Sequence, residues 1–159
     1  MELKTKVGAG EGSQDILITR EFDLPVELLF RAHVEPGLFE QWMSHEYGIV
    51  KVLKYEGRKF GGWQFTTSSP EGVVLFGASG VIHEFMPNQR IVRTFEMDDP
   101  AFDAQLEFLE FKDLGERSRL EMQIVFRTSE ARDRMLKLPF AQGLSMSHDR
   151  LEATVGQLK

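Results

Sequence analysis

The sequence predicts a single α+β domain in which a curved antiparallel sheet of six or seven strands wraps around a long C-terminal helix. Three observations support this prediction. Most of residues 49–128 follow the two-residue period of strands, two short proline-led helices precede that region, and an amphipathic helical pattern ends the chain. The length of 159 residues is also close to the usual size of one domain.

A first strand and two short helices come before the main run of strands. Residues 16–22 (ILITREF) are rich in β-branched and aromatic side chains, which predicts a strand. Pro25 and Pro36 each suit the first turn of a helix, because the N–H that proline lacks would be unpaired there. Trp42 lies on the apolar side of the second helix. We expect the two helices to form a V-shaped support for the sheet.

The other strands are predicted from alternating apolar and polar residues and from the turn residues between them. They cover residues 49–55, 59–67, 73–86, 90–97, 104–112 and 118–128. In the last strand, Leu120, Met122, Ile124 and Phe126 alternate with charged or amide side chains, as expected for a strand with one buried face.

Two of these strands show signs of irregular pairing. Gly77 and Gly80 interrupt the longest strand, where we expect a bulge or a sharp bend. In residues 104–112 the alternation slips between Phe108 and Leu109, which also predicts a bulge.

The C-terminal pattern predicts a helix over residues 141–158, preceded by a helical segment at 129–138 that Pro139 ends. The residues of its apolar stripe follow helical spacing and are Leu144, His148, Leu151, Val155 and Leu158. We expect this stripe to face the concave side of the sheet and to leave space for a small apolar molecule.

Composition excludes several classes of function. The net charge of −6 and the absence of a run of basic residues disfavour nucleic acid and anionic membranes as partners. The chain has no cysteine, which excludes disulfides, thiolate metal sites and a cysteine nucleophile. With no apolar segment long enough to span a membrane and no signal-like N-terminus, we expect a cytoplasmic protein.

Residues 1–13 are polar and rich in glycine, and we expect them to form a flexible arm preceding a domain at 14–159. Gly8, Gly10 and Gly12 have the spacing of part of a dinucleotide-binding loop. The sequence predicts no strand before them and no helix after them, so that interpretation lacks its structural context.

The sequence resembles the START/Bet v 1-like (SRPBCC) superfamily, and within it the AHSA1-like proteins, which resemble the activator of Hsp90 ATPase. The segments that carry the resemblance are 20–27 (REFDLPVE), 35–36 (EP), 41–42 (QW), 61–65 (GGWQF), 80–82 (GVI), 87–92 (PNQRIV) and 147–152 (SHDRLE). They occur in the family's order over nearly the whole chain.

The resemblance implies the helix-grip fold, with an apolar cavity between sheet and helix. Across the superfamily such cavities take lipids, sterols, polyketides and other hydrophobic molecules, and a minority of members are cyclases, dehydratases or hydrolases. The resemblance also makes a homodimer plausible. It does not imply that this chain activates Hsp90.

His148 and Arg93 each allow two interpretations. His148 is either a core histidine hydrogen-bonded to the sheet, which we favour, or a polar contact for a ligand or a general base. Arg93 alternates with Ile91 and Phe95. If that face is the inner one, Arg93 is a buried cation that pairs with a ligand carboxylate or with Glu107. If not, it is a solvated strand residue, which we favour.

A catalytic triad and a metal site are both disfavoured. Ser147, His148 and Asp149 are consecutive, so they diverge around the helix, and Ser145 alone is at a spacing that meets His148. The histidines do not have the spacing of paired metal ligands. We therefore predict no metal, no cofactor and no assigned catalytic residue.

The favoured hypothesis is a protein that binds a hydrophobic or amphipathic molecule, with an acidic or carbonyl group, without catalysis. One alternative is an enzyme of the cyclase, dehydratase or hydrolase type that uses His148 with His83 or Arg93. Another is a protein-interaction module associated with chaperones. The candidate cavity residues are Trp42, Trp63, Phe65, His83, Arg93, Phe108, Met122, Leu144, His148 and Leu151.

Overall fold

The computed structural model describes residues 4–159, which form one antiparallel sheet of eight strands with four helices. The strands are β1 (Lys6–Gly8), β2 (Asp15–Phe22), β3 (Ile49–Tyr55), β4 (Gly62–Ser68), β5 (Val74–Met86), β6 (Arg90–Met97), β7 (Gln105–Leu114) and β8 (Arg117–Val125). The helices are α1 (Val26–Val34), α2 (Pro36–Met43), α3 (Ser129–Leu136) and α4 (Phe140–Val155), and a 3-10 turn (Gly156–Leu158) follows α4.

The strand order across the sheet is β1-β2-β8-β7-β6-β5-β4-β3. The run from β3 to β8 is a meander in which each strand pairs with the next, and β2 closes against β8. This sheet curves around α4, while α1 and α2 sit between β2 and β3 in sequence and pack against α4. The fold class predicted from the sequence is confirmed, although the sheet has eight strands rather than six or seven.

The main core lies where α1, α2 and α4 meet the inner face of the sheet. It contains Leu29 and Phe30 of α1 together with Leu109, Leu120 and Leu151, all buried. A second cluster joins β2, β8, α3 and α4 around Ile16, Ile18 and Ile124. Alternation along β2 and β8 therefore buries one face of each strand, as the sequence pattern predicts.

The eighth strand comes from the segment predicted to be an arm. Lys6–Gly8 pairs with β2, from Lys6 opposite Thr19 to Gly8 opposite Leu17, and Thr5 beside it is buried. Residues 1–3 of the predicted arm lie outside the described residues. Three residues are too few to produce a periodic signal, so this strand was not predicted from the sequence.

The pairing irregularities differ from those predicted. In β5 the register shifts between Ile82 and Glu84, so His83 is the extra residue, and pairing continues through Gly77 and Gly80. Gly80 has a different role, because a Cβ there would lie 1.9 Å from the carbonyl oxygen of Thr94. β7 pairs with both neighbours without any shift, so the predicted bulge at Phe108 is wrong.

Candidate functional site

A cavity of about 1140 Å³ lies between the inner face of the sheet and helices α2 and α4. Its walls come from β2–β8, from α2 and α4, and from the C-terminal ends of α1 and α3. Most of the lining side chains are apolar, and many are aromatic. This volume is slightly larger than that of most sites that enclose small organic molecules, so such a molecule fits inside.

Aromatic rings form the sheet side of the cavity. Trp63 and Phe65 of β4 stack with ring centroids 5.8 Å apart, and Phe95 of β6 lies 5.6 Å from Trp63. Phe39 of α2 packs against Phe65 from the helix side. Phenyl rings need no hydrogen-bond partner, so Phe39, Phe65 and Phe95 can contact an apolar guest without leaving polar groups unpaired.

A buried ion-pair cluster, formed by Arg93, Glu107 and Gln105, interrupts the apolar lining. Arg93 Nε donates to Glu107 Oε1 at 2.8 Å, and Gln105 Nε2 donates to Glu107 Oε2 at 2.8 Å. The Arg93 guanidinium lies 5.1 Å from the centre of the Trp63 ring, a cation–π arrangement. The interpretation of Arg93 as a solvated residue is therefore wrong, because its strand presents Ile91 and Arg93 inward.

Tyr55 and Trp63, which are directly opposed on β3 and β4, each carry a buried polar atom without a hydrogen-bond partner among the described residues. Burial raises the pKa of Tyr55, while the nearby Arg93 charge opposes that change, so the phenol is protonated at neutral pH. Trp63 Nε1 lies over Gly80, 2.6 Å from where a Cβ would stand, and so is directed at the sheet.

His148 lines the cavity from α4. Its Nδ1 is 2.9 Å from Thr5 Oγ1, and its ring packs edge-on against Phe22. Burial, with smaller contributions from His33 and the Arg20 charge, lowers the pKa of His148 to about 3, so the ring is neutral at pH 7. The hydrogen bond goes to a residue that precedes β1, which the sequence did not indicate.

His33 of α1 is the second buried histidine of the cavity wall. Its Nδ1 lies 2.8 Å from the carbonyl oxygen of Leu29, which can only accept, so Nδ1 carries the proton. Burial lowers the pKa of His33 to about 4, although the bond to Leu29 opposes this and the Arg93 charge adds to it. Both histidines are therefore uncharged polar groups at neutral pH.

Arg20 lies behind His148, on the inner face of β2. Its Nη1 donates to Asp149 Oδ1 at 2.7 Å and is 3.5 Å from Thr5 Oγ1, while Nη2 is 3.7 Å from Glu152 Oε2. Occupation of one Thr5 lone pair by Arg20 favours donation of the Thr5 proton to His148. These contacts tie the N-terminal segment, β2 and α4 together.

Four exposed apolar side chains, here called the cavity rim, surround one end of the cavity. They are Tyr47, Leu75, Phe76 and Met146. Tyr47 is 71% exposed and Met146 is 54% exposed, so both side chains line the cavity and also reach solvent. The rim joins the loop after α2, the start of β5 and the first half of α4.

Seven of the ten predicted cavity residues line the cavity. They are Trp42, Trp63, Phe65, Arg93, Met122, Leu144 and His148. The other three do not: His83 is exposed at the β5 bulge, Phe108 lies on the outer face of β7, and Leu151 is fully buried in the main core. Leu151 is one turn further along α4 than His148, where the helix already contacts α1 and the sheet.

Several polar cavity residues were not predicted to be candidates. Tyr55 was missed because simple alternation from Val50 and Val52 places it on the outer face. A bulge between Val52 and Lys54 shifts the register and turns Tyr55 inward. Glu107 was considered only as a partner for Arg93, and Gln105 gave no separate signal.

The serines and the aspartate near His148 do not form a catalytic triad. Among the described residues, neither Ser145 nor Ser147 hydrogen-bonds to His148, and Ser147 Oγ instead donates to the carbonyl of Gly143. Asp149 instead forms a salt bridge with Arg20. In residues 4–159 there is also no cluster of side chains suited to holding a metal ion, and no helix is long and apolar enough to span a membrane.

Solved proteins of low sequence identity share this fold. A protein from Rhodobacter sphaeroides has a TM-score of 0.87 at 21% identity, over 96% of this chain and 99% of that chain. A protein from Arthrobacter aurescens has a TM-score of 0.85 at 14% identity, over 96% and 91% of the two chains. Protein Ms6760 from Mycobacterium smegmatis has a TM-score of 0.82 at 16% identity, over 94% and 95%. Identities this low establish the fold alone.

Sequence comparison identifies the family. No curated protein matches the chain in sequence. The family profile described as "Activator of Hsp90 ATPase homolog 1-like protein" matches residues 23–156, which run from the end of β2 to the end of α4. Because this match covers most of the chain and the strand and helix order is that of the Bet v 1-like fold, the protein belongs to the AHSA1-like family of the SRPBCC superfamily.

Proposed function

We propose that this protein binds a hydrophobic or amphipathic small molecule in the cavity between the sheet and α4. The observation that carries the proposal is the cavity itself, about 1140 Å³ with mostly apolar and aromatic walls. A cavity of this size costs stability when it is empty, because the side chains around it lack contacts that a filled core would provide. A guest molecule supplies those contacts.

The cavity rim supports the same proposal. Tyr47, Leu75, Phe76 and Met146 continue the apolar lining to the surface of the molecule. An apolar guest can therefore pass from solvent to the interior along side chains of similar polarity. The few polar groups inside, chiefly the buried ion-pair cluster, fit the pattern of binding sites in which isolated polar side chains orient an otherwise apolar ligand.

Native mass spectrometry of the purified protein, followed by thermal unfolding with fatty acids, sterols and aromatic compounds, tests the proposal. A ligand that binds only the folded state raises the melting temperature in proportion to the logarithm of its concentration. Leu144→Trp should reduce that rise, because Leu144 lines the cavity and the larger side chain takes up part of the space available to a guest.

Leu114→Trp is the matched control, because Leu114 is exposed at the β7–β8 turn, away from the cavity. It should keep the response of the unaltered protein. If no compound copurifies with the protein or shifts its melting temperature, or if Leu144→Trp leaves the shift unchanged, the proposed binding in this cavity is wrong.

A further inference from the structure

The polar part of the cavity is balanced in charge but has more hydrogen-bond donors than acceptors available to a ligand. Arg93 and Glu107 are directly opposed on β6 and β7, and their side chains are 13% and 4% exposed. Each charge is thus compensated by the other inside a largely apolar space. A ligand that reaches this point meets an ion pair with no net charge.

The same cluster leaves donors available. Glu107 uses one oxygen for Arg93 Nε and the other for Gln105 Nε2, so both carboxylate oxygens are occupied. No residue in the described part of the chain hydrogen-bonds to the terminal Nη atoms of Arg93, which lines the cavity. The Tyr55 hydroxyl is buried and also unpartnered. Guanidinium groups can only donate, and Tyr55 stays protonated at neutral pH, so this region offers donors.

A ligand carboxylate would be poorly accommodated beside these donors. It would share the Arg93 guanidinium with Glu107, which places two negative charges on one positive charge in an apolar cavity. Burial of that excess charge is costly, because the other two cations of the lining bond elsewhere, Lys54 to Glu56 and Arg150 to the Trp42 carbonyl. An uncharged oxygen acceptor, such as a ketone or ester carbonyl, uses the same donors without adding charge.

On the basis of the proposed function, we infer that Glu107 acts as a charge filter. By this we mean that the cavity selects uncharged ligands that carry a hydrogen-bond acceptor and rejects the corresponding carboxylates. Arg93 and Tyr55 donate to the acceptor of the ligand. Glu107 has no direct contact with the ligand in this scheme and sets specificity through Arg93. The aromatic wall of Trp63, Phe65 and Phe95 receives the apolar body of the ligand.

Three probes with one ring system test this inference: methyl 2-naphthoate, 2-naphthoate and 2-ethylnaphthalene, titrated at pH 7.5 by calorimetry or tryptophan fluorescence. The neutral ester should bind at least tenfold more tightly than both the carboxylate and the hydrocarbon. Glu107→Gln keeps the shape of the side chain but removes its charge. That variant should bind 2-naphthoate at least tenfold more tightly than the unaltered protein does, with little change for the ester.

Glu110→Gln is the matched control. Glu110 forms the equivalent cross-strand pair with Arg90, on the outer face of the same two strands, with Arg90 Nε 2.7 Å from Glu110 Oε1. It should leave all three affinities within threefold of those of the unaltered protein.

The results separate the inference from the proposed function. If none of the three probes binds, the charge filter is overturned, whereas the proposed function is decided by the wider screen of fatty acids, sterols and aromatic compounds. If the probes bind but the ester is no tighter than the carboxylate, or no tighter than the hydrocarbon, only the charge filter is overturned. The comparison on the unaltered protein decides this even if Glu107→Gln fails to fold. A folded Glu107→Gln variant with unchanged affinity for 2-naphthoate also overturns the inference.

Discussion

The buried Arg20 side chain is stabilised by carboxylates that themselves reach solvent. Asp149 is 62% exposed and Glu152 is 23% exposed, whereas the Arg20 side chain is fully buried. Removal of the arginine leaves carboxylates that water can solvate. Removal of both carboxylates leaves a buried cation without a counter-charge, which is the more costly situation.

We therefore predict that the double variant Asp149→Asn/Glu152→Gln loses about 3 kcal/mol of unfolding free energy, and that Arg20→Met loses less than about 2 kcal/mol. Urea denaturation of the three proteins at pH 7 measures both values. Equal losses, or a larger loss for Arg20→Met, would show that the stabilisation comes from packing of the arginine stem against Phe22 and not from the charge pairing.

The two buried histidines predict a loss of stability in mild acid. An unfolded histidine titrates near pH 6.5, whereas burial lowers the folded-state pKa of His148 to about 3 and that of His33 to about 4. Between these values the unfolded chain binds more protons, so the stabilisation is complete above pH 6.5 and decreases as the pH falls. Each histidine contributes a slope of roughly 1 kcal/mol per pH unit between pH 6 and pH 5.

His148→Leu should remove about half of what the two histidines contribute to the slope of unfolding free energy against pH. Denaturant unfolding at several pH values measures this slope. His83→Gln is the control, because it removes an imidazole that is exposed on β5. A slope in His148→Leu that equals that of the unaltered protein would contradict the assignment of a buried neutral ring at position 148.

At the scale of elements, β1 holds α4 in place. Its neighbour Thr5 bonds to His148 of α4, and Val7 packs with the cluster that contains Leu144. We predict that deletion of residues 1–8 lowers the melting temperature and speeds amide hydrogen exchange in residues 145–152. The reason is that this part of α4 then loses its contacts with Thr5 and Val7. Amides of β4 should exchange at an unchanged rate, and a uniform increase over the whole chain would contradict this role for β1.

The elements that could be predicted are those in which apolar side chains recur at a regular spacing. β8 alternates Leu120, Met122 and Ile124, and α4 repeats at helical spacing from Leu144, so period and length alone identified them. The inner face of β6 could not be assigned in this way, because Val92 gives its outer face an apolar residue as well. The bulge in β3 that turns Tyr55 inward is not indicated by the residue types of that strand. Sequence thus indicated much of the cavity wall and gave the Arg93–Glu107 pair as one of two alternatives, but it did not indicate Tyr55 or Gln105.

At the scale of the whole molecule, the two ends of the sheet differ in how they are held. One end, where Phe22 and Phe111 of the sheet meet Phe30 of α1, packs tightly against α1, α2 and α4. At the other end the cavity replaces much of the core, and the first half of α4 contacts the sheet mainly through Leu144 and Phe140. Regions with fewer buried apolar contacts open more readily, so access to the cavity is expected at the rim end.

Hydrogen exchange with and without methyl 2-naphthoate tests this difference between the ends. The guest supplies the apolar contacts missing from the rim end, so exchange should slow in residues 45–48, 73–76 and 140–147. The tightly packed end is already held by the main core, and amides of residues 26–30, which do not line the cavity, should change little. In Leu144→Trp the indole takes up part of the space near the rim, so the slowing of exchange by the ligand should be smaller than in the unaltered protein. Protection that appears first in residues 26–30 would instead mean that the ligand reaches the interior from the α1 side and that the rim is not the route of access.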